Sequence, residues 1–166
     1  LIESIKGKVD TNFQLLNCEK IAKDCFMMLE PLAYDKDLEF EFETKRCAVE
    51  FIKTDEKIFK QILINLLSNA IKYTKAGKVS LELLTCDNKL IVEVKDSGIG
   101  IEKDEMGKLF KEFSRIENEI SSEQKGTGLG LSLSKKLAHI LGGDIYLQSD
   151  GKNCGTTAVF FVKLKE

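Results

Sequence analysis

The sequence predicts an α+β fold: a two-layer α/β sandwich whose mixed, mostly antiparallel sheet of about five strands is covered on one face by about three helices. Three observations carry that prediction. Short alternating or valine-rich stretches recur in hairpin order at 38–44, 48–53, 78–85, 89–96, 144–150 and 155–164. Three longer stretches, 17–34, 54–74 and 126–143, carry apolar residues at helical spacing. No strand–helix–strand alternation repeats, which argues against a doubly wound parallel sheet. Between 97 and 126 the periodicity lapses into Gly, Ser, Glu and Lys. A loop that long inside a compact domain is uncommon and usually functional.

The elements follow in chain order. LIESIKGKVD (1–10) sets Leu1, Ile5 and Val9 at helix-like spacing broken by Gly7 and Asp10. It reads as the end of an upstream helix or a linker, with the domain itself running from 11 to 166. FQLLN (13–17) reads as a short strand. Asn17 then caps a helix to about Tyr34, with Ile21, Ala22, Cys25, Phe26 and Leu29 inward and Pro31 ending or kinking its last turn. LEFEFET (38–44) sets Leu38, Phe40 and Phe42 against Glu39, Glu41 and Glu43, the period of a half-buried strand. AVEFIK (48–53) is expected to pair with it as a hairpin across Lys45–Cys47. Thr54 is the expected N-cap of the central helix, followed by Asp55 and Glu56 where carboxylates favour the positive helix end. Its apolar stripe is Ile58, Ile62, Leu63, Leu66, Leu67, Ala70 and Ile71. Lys75-Ala76-Gly77 turns into KVSLELLT (78–85), and Asp87-Asn88 turns that strand into KLIVEVKD (89–96). A short helix is expected near 104–112 within the long loop. GTGLGLSLSKKLAHILGG (126–143) opens an amphipathic helix, and DIYLQSD (144–150) and GTTAVFFVKL (155–164) close the chain as strands.

Composition bounds the function. A chain of 166 residues, 43% hydrophobic and 31% charged, forms one globular domain with a core of its own. Its net charge of −2 gives no electrostatic reason for binding nucleic acid or an acidic membrane surface. No stretch approaches about 20 apolar residues and no signal-peptide pattern occurs, so no membrane contact is expected. The five cysteines, Cys18, Cys25, Cys47, Cys86 and Cys154, show neither CxxC nor metal spacing. They read as reduced, mostly buried thiols of a cytoplasmic domain.

The chemistry concentrates in three places. On the central helix, Gln61, Asn65, Ser68, Asn69 and Lys72 share one polar sector roughly 100° wide. Solvated faces are mostly Lys and Glu, whereas this one is amides and a hydroxyl ending in a lysine. Amide oxygens are good ligands for a hard cation and the lysine suits a phosphate, although such a stripe can also line a wet groove or a partner interface. Asp96-Ser97-Gly98-Ile99-Gly100 follows a valine-rich strand. A carboxylate there can accept from an exocyclic amine such as that of adenine, and the glycines admit a flat ligand, but turns of this composition are common. Gly126-Thr127-Gly128-Leu129-Gly130 opens a helix, where bare backbone amides form an anion site, or alternatively a hinge. G-x-x-x-x-G-K-[ST] is absent, and the glycine cluster does not have the Rossmann form, which argues against P-loop and dinucleotide folds.

Taken in order, NLLSNAIKYT (65–74), DSGIG (96–100), KLFKEF (108–113) and GTGLGLS (126–132) resemble the catalytic ATP-binding domain of sensor histidine kinases. That family lies within the superfamily of gyrase, heat-shock chaperone and mismatch-repair ATPases, and the resemblance spans the chain from about residue 11 onward. It implies ATP and Mg2+ as cofactors, with Asn69 as metal ligand and Asn65 beside the metal and phosphates. It further implies Lys72 on phosphate, Tyr73 at the purine, and Asp96 on the adenine amine. Gly98, Gly100 and Ile101 would shape the pocket. Residues 101–126 would form an ATP lid anchored by Phe110 and Phe113. Gly126, Thr127, Gly128, Leu129, Gly130 and Leu131 would contribute the phosphate-binding helix start. Arg115, the lid's only arginine, stands where many relatives place one near the γ-phosphate; its alternative is an exposed charge.

Two departures sharpen the reading. Hydrolytic relatives have a Glu four residues before the metal Asn, where this chain has Asn65, which has no basicity at neutral pH. Many lids carry a second basic residue before the second Phe, where this chain has Glu112. The single histidine, His139, is expected to project with Ser132, Lys135 and Lys136 on a solvated helix face, so it is not the phosphoacceptor. The resemblance therefore implies a kinase domain that donates the γ-phosphate to a histidine on a separate domain of the parent protein. A response regulator or receiver domain would be served indirectly. The alternatives are a nucleotide-binding pseudokinase that regulates by docking and a free-standing ATPase. The fragment itself is expected to be monomeric.

Overall fold

The structure is a computed structural model that describes residues 10–45, 51–102, 104–105 and 129–164. In chain order the elements are β1 (Phe13–Asn17), α1 (Cys18–Asp35), β2 (Glu39–Thr44), β3 (Phe51–Asp55) and α2 (Glu56–Lys72). They continue as β4 (Lys78–Cys86), β5 (Lys89–Asp96), α3 (Leu129–Ile140), β6 (Gly143–Gln148) and β7 (Thr156–Lys163). The main sheet has five strands in the order β2-β4-β5-β7-β6. Three of its pairings are antiparallel, and β2 lies parallel to β4 with Glu39 opposite Lys78. The expected α+β sandwich, with a mixed sheet under three helices, is the observed one.

The alternation of β4, β5 and β7 turns Val79, Leu81, Leu83, Leu90, Val92, Val94, Ala158, Phe160 and Val162 toward the helices. Against them α2 buries Ile58, Phe59, Ile62, Leu63, Leu66, Leu67, Ala70 and Ile71. Phe59 and Phe160 meet with ring centroids 5.6 Å apart. Helix α1 packs on α2 and β2, and α3 packs on α2 and β6.

The strand pairing near the N-terminus corrects one expectation. β2 and β3 do not form a hairpin. β3 pairs antiparallel with β1 in a separate two-stranded ribbon, with Phe13 opposite Asp55 and Asn17 opposite Phe51. β2 instead extends the main sheet. Its Phe40 stacks on Phe26 of α1 at 4.1 Å, and β4 offers an apolar edge that continues the same face. Alternation fixes which side of a strand is buried but says nothing about its neighbour.

A second correction concerns the start of α2. β3 runs through Asp55, which is the N-cap in place of Thr54. The Asp55 Oδ1 accepts from the Ile58 N–H at 3.0 Å and its Oδ2 from the Asn12 N–H at 2.7 Å. Asn17 caps α1 as expected, accepting from the Lys20 N–H at 3.0 Å, while Pro31 is accommodated inside a helix that continues to Asp35.

Two smaller expectations also change. Ser132 is buried, at 4% exposure, instead of sharing the solvated face of Lys136 and His139. The His139 Nε2 lies 3.0 Å from Asp144 Oδ1, which also takes the Lys135 Nζ at 2.8 Å. Of the four described cysteines, Cys18 and Cys25 are buried and Cys86 and Cys154 are exposed, all as free thiols. Burial pushes the Cys18 thiol up to about 12 and that of Cys25 up to about 11, so neither is reactive at neutral pH. No described helix is long and apolar enough to cross a membrane. Residues 1–9, Cys47 and most of the expected helix near 104–112 lie outside the described residues.

Candidate functional site

The polar sector of α2 is half-buried along its whole length, so it is partly covered by neighbouring elements and not open to solvent. Its members differ in what they touch. The Gln61 Nε2 donates to Asn65 Oδ1 at 3.1 Å, and the Asn65 Nδ2 donates to Ser134 Oγ of α3 at 2.9 Å. The Ser68 hydroxyl donates back to the Asn65 carbonyl at 3.2 Å. Asn69 is different: among the described residues its amide makes no hydrogen bond. It faces Gly130 of α3, where a Cβ would lie 3.9 Å from its Nδ2. Lys72 carries its ammonium 5.6 Å from the centre of the Tyr73 ring.

Beside the C-terminal end of α2 stands the end of β5. The Asp96 Oδ1 accepts from the Gly98 N–H at 2.9 Å and from the Thr156 N–H at 3.2 Å; neither bond uses Oδ2. Burial raises this carboxyl to about 6, against the lowering effect of those two donors. Gly98 is required sterically, since a Cβ would strike the Tyr73 carbonyl and the Thr74 hydroxyl. The Ile99 N–H donates to that same Tyr73 carbonyl at 3.2 Å, which ties the glycine turn to the last residues of α2. Ile101 is buried, at 4% exposure.

The turn between β6 and β7 supports this motif from behind. The Ser149 Oγ accepts from the Ile101 N–H at 3.0 Å and donates to the Gly155 carbonyl at 2.7 Å. The Gly155 N–H donates to the Gly98 carbonyl at 3.2 Å, and the Asn153 N–H to that of Ile99. Gly100, with φ of +71°, backs directly onto the Gly151 carbonyl. Thr74 entered only as the last residue of the 65–74 motif, and none of Ser149, Gly151, Asn153, Gly155 and Thr156 stood out in the sequence. Their signal, the turn-rich run SDGKNCGT (149–156), is that of any hairpin loop.

Asn65, Asn69, Lys72, Tyr73, Asp96, Gly98, Gly100, Ile101, Gly130 and Leu131 thus belong to α2, to the turn after β5 and to the start of α3. Asn69 meets Gly130, and Tyr73 meets the Asp96 turn. Leu131 packs partly against the core, and Leu129 opens α3. Phe110, Glu112, Phe113, Arg115, Gly126, Thr127 and Gly128 lie outside the described residues.

A half-buried carboxylate next to a glycine that only bare backbone can occupy suits the amine edge of a flat ring. The amide of Asn69 faces the N-terminal turn of α3, where backbone N–H groups and the helix dipole favour an anion. Among the described residues no three His, Cys, Asp or Glu side chains cluster as a metal site. A divalent cation at Asn69 would therefore need its remaining oxygens from water and from the anion itself.

Comparison with known proteins places this geometry. A family model described as histidine kinase-, DNA gyrase B- and HSP90-like ATPase matches residues 54–166. Histidine protein kinase 1 of Candida albicans is 36% identical over 165 residues, 92% of this chain and 6% of its own length. Sensor protein GacS of Pseudomonas syringae is 34% identical over 164 residues, 96% of this chain and 18% of its own. The chain thus spans only a small part of these curated relatives. The catalytic domain of histidine kinase ThkA superposes with a TM-score of 0.79 at 28% identity, covering 93% of this chain and 99% of that one. Full-length ShkA in complex with AMPPNP shares the fold, with a TM-score of 0.83 at 23% identity over 96% of this chain and 33% of that one. With the motifs, the sheet order and the matched span in agreement, the chain belongs to the family of histidine kinase-, DNA gyrase B- and HSP90-like ATPases.

Proposed function

We propose that this domain is the catalytic part of a protein-histidine kinase: it binds ATP with Mg2+ and presents the γ-phosphate to a histidine on a separate domain of its parent. The observation that carries the reading is the placement of two unlike polar groups at one end of α2. The Asp96 carboxylate lies beside Gly98, and the Asn69 amide faces Gly130 with no hydrogen bond among the described residues.

Each residue has a definable task. Asp96 accepts from the exocyclic amine of adenine, and Gly98, Gly100 and Ile101 shape the space around the base. Tyr73 borders the purine. The amide oxygen of Asn69 would ligate the metal, while Lys72 and backbone N–H groups of Gly126 to Leu131 would hold the phosphates. Arg115 and the phenylalanines Phe110 and Phe113 belong to the lid of this reading. Bound ATP would supply the phosphoryl group, with Mg2+ there to neutralise charge on its oxygens. Phosphoryl transfer depends mainly on such positioning. Asn65 cannot take a proton from water, so the domain holds ATP and leaves the base to its partner. The named kinase relatives support this reading, as do the nucleotide analogue bound by ShkA and the solved complex of ThkA with response regulator TrrA. A response regulator or receiver domain is accordingly the indirect partner, and the domain lies on the cytoplasmic side of its parent.

Calorimetric titration of Mg-ADP and a non-hydrolysable ATP analogue into wild type and Asn69→Ala tests this. Magnesium-dependent binding, lost or much weakened in the variant, is expected. Adding the parent's histidine-bearing helical domain should then yield phosphohistidine. Folded protein that binds no nucleotide refutes the reading.

A further inference from the structure

Helices α2 and α3 run antiparallel at the site, and two side-by-side contacts show their alignment. Asn65 reaches Ser134, and one turn further along α2 Asn69 faces Gly130, one turn earlier on α3. Ser134 is completely buried, and its one hydrogen bond among the described residues is the 2.9 Å bond from the Asn65 amide. The other end of that amide is held by Gln61 at 3.1 Å. Reversing the Asn65 and Gln61 amides together would exchange donor and acceptor but leave both ends occupied. Asn65 is therefore committed to the helix–helix contact.

We propose that Ser134, acting through Asn65, is a positioning residue that sets the register of α3 against α2, so that the phosphate-binding start of α3 lies over Asn69. This rests on the nucleotide reading above. The hydroxyl touches no ligand. Its effect is geometric: Lys135 and His139 tie the later turns of α3 to Asp144 of β6, while the face of α3 toward α2 carries apolar packing, which resists separation but only weakly resists sliding or rotation about a shared face. A directional bond onto a buried hydroxyl fixes both. A slide of one residue moves a helix by about 1.5 Å, and a misplacement of about 1 Å at a reacting group can cost about a hundredfold in rate. The adenine end of the site is built from β5, the end of α2 and the β6–β7 turn, none of which depends on this bond. Register should therefore matter for the phosphates and not for the base.

The test is to measure adenosine, ADP and Mg-AMPPNP binding to wild type and Ser134→Ala, the adenosine by competition in NMR. Loss of this part-buried hydrogen bond should weaken Mg-AMPPNP about tenfold while adenosine binding stays within about twofold. Ser134→Thr and Ser134→Val have the same shape and differ in the hydroxyl. Threonine should keep triphosphate binding closer to wild type than valine does, so any packing defect is controlled. Equal losses for adenosine and Mg-AMPPNP would mean a merely structural role and overturn the proposal. So would unchanged binding in Ser134→Ala, or threonine and valine variants that behave alike. Failure of the wild type to bind any of the three ligands would instead bring down the nucleotide reading itself.

Discussion

Replacing Asp96 with asparagine should make the domain more stable while abolishing its binding to adenine nucleotides. The carboxyl is held in a half-buried position whose desolvation raises it from 3.8 to about 6. A displacement of about two units corresponds to roughly 3 kcal/mol of penalty on the charged form at neutral pH, at 1.36 kcal/mol per unit. The substituted amide would keep an oxygen for the Gly98 and Thr156 N–H groups but lose the charge assistance of those bonds, so a net gain of about 1–2 kcal/mol is expected. For a domain of this size that is a rise in Tm of about 3–8 °C. The sign of the pH dependence is specific. Below pH 3.8 the carboxyl is protonated in both folded and unfolded chains, and no penalty exists. As pH rises from 3.8 to about 6 the unfolded chain ionises first, and wild-type stability falls relative to the variant. Above about 6 the penalty is complete. Urea denaturation of both proteins at pH 4, 5, 6 and 7.5 reads this directly. A variant less stable than wild type at pH 7.5, or a difference that does not change with pH, would refute the idea that burial strains this carboxylate.

Two further outcomes follow from the same geometry. If the ionised Asp96 accepts from the adenine amine, ADP affinity should fall about tenfold between pH 7 and pH 5, following a group that titrates at about 6; calorimetry across that range checks it, and a flat profile counts against the role. Lys36 donates from Nζ to the Ile71 carbonyl at 2.7 Å and the Lys72 carbonyl at 3.3 Å, satisfying two acceptors at the end of α2. Lys36→Met should cost about 1–2 kcal/mol of stability and loosen the Tyr73 carbonyl that holds Ile99, with weaker adenosine binding as the second readout.

Local periodicity carried much of the fold into the sequence. β1 and β5 have the residue limits read for them from the sequence, and the stripe from Ile58 to Ile71 is the buried face of α2. The polar sector of α2 and the Asp96 turn were legible because residue type and spacing alone specify them. What escaped was contact between distant segments. Nothing within 38–55 says that β2 joins β4 while β3 joins β1. Thr54 and Asp55 are both good caps, and the choice went to the residue whose second oxygen also receives the Asn12 N–H. Ser132 reads as polar surface and Ser134 carries no signal of its own, because a helix wheel cannot show that α2 covers that side of α3. The β6–β7 turn carries its function in backbone groups, which no side-chain motif records.

The parallel edge strand β2 bears on what can be inherited as a unit. The matched family span opens at Thr54, inside β3. A polypeptide cut there would leave the β4 backbone unpaired along one side, beside the apolar Val79, Leu81 and Leu83. It would also lose the Asn12 bond to Asp55 and the Lys36 clamp on α2. An unprotected edge of that character recruits other strands and aggregates. The piece that recombination could move intact between parent proteins therefore begins near Asn12, well ahead of the start of the matched family span.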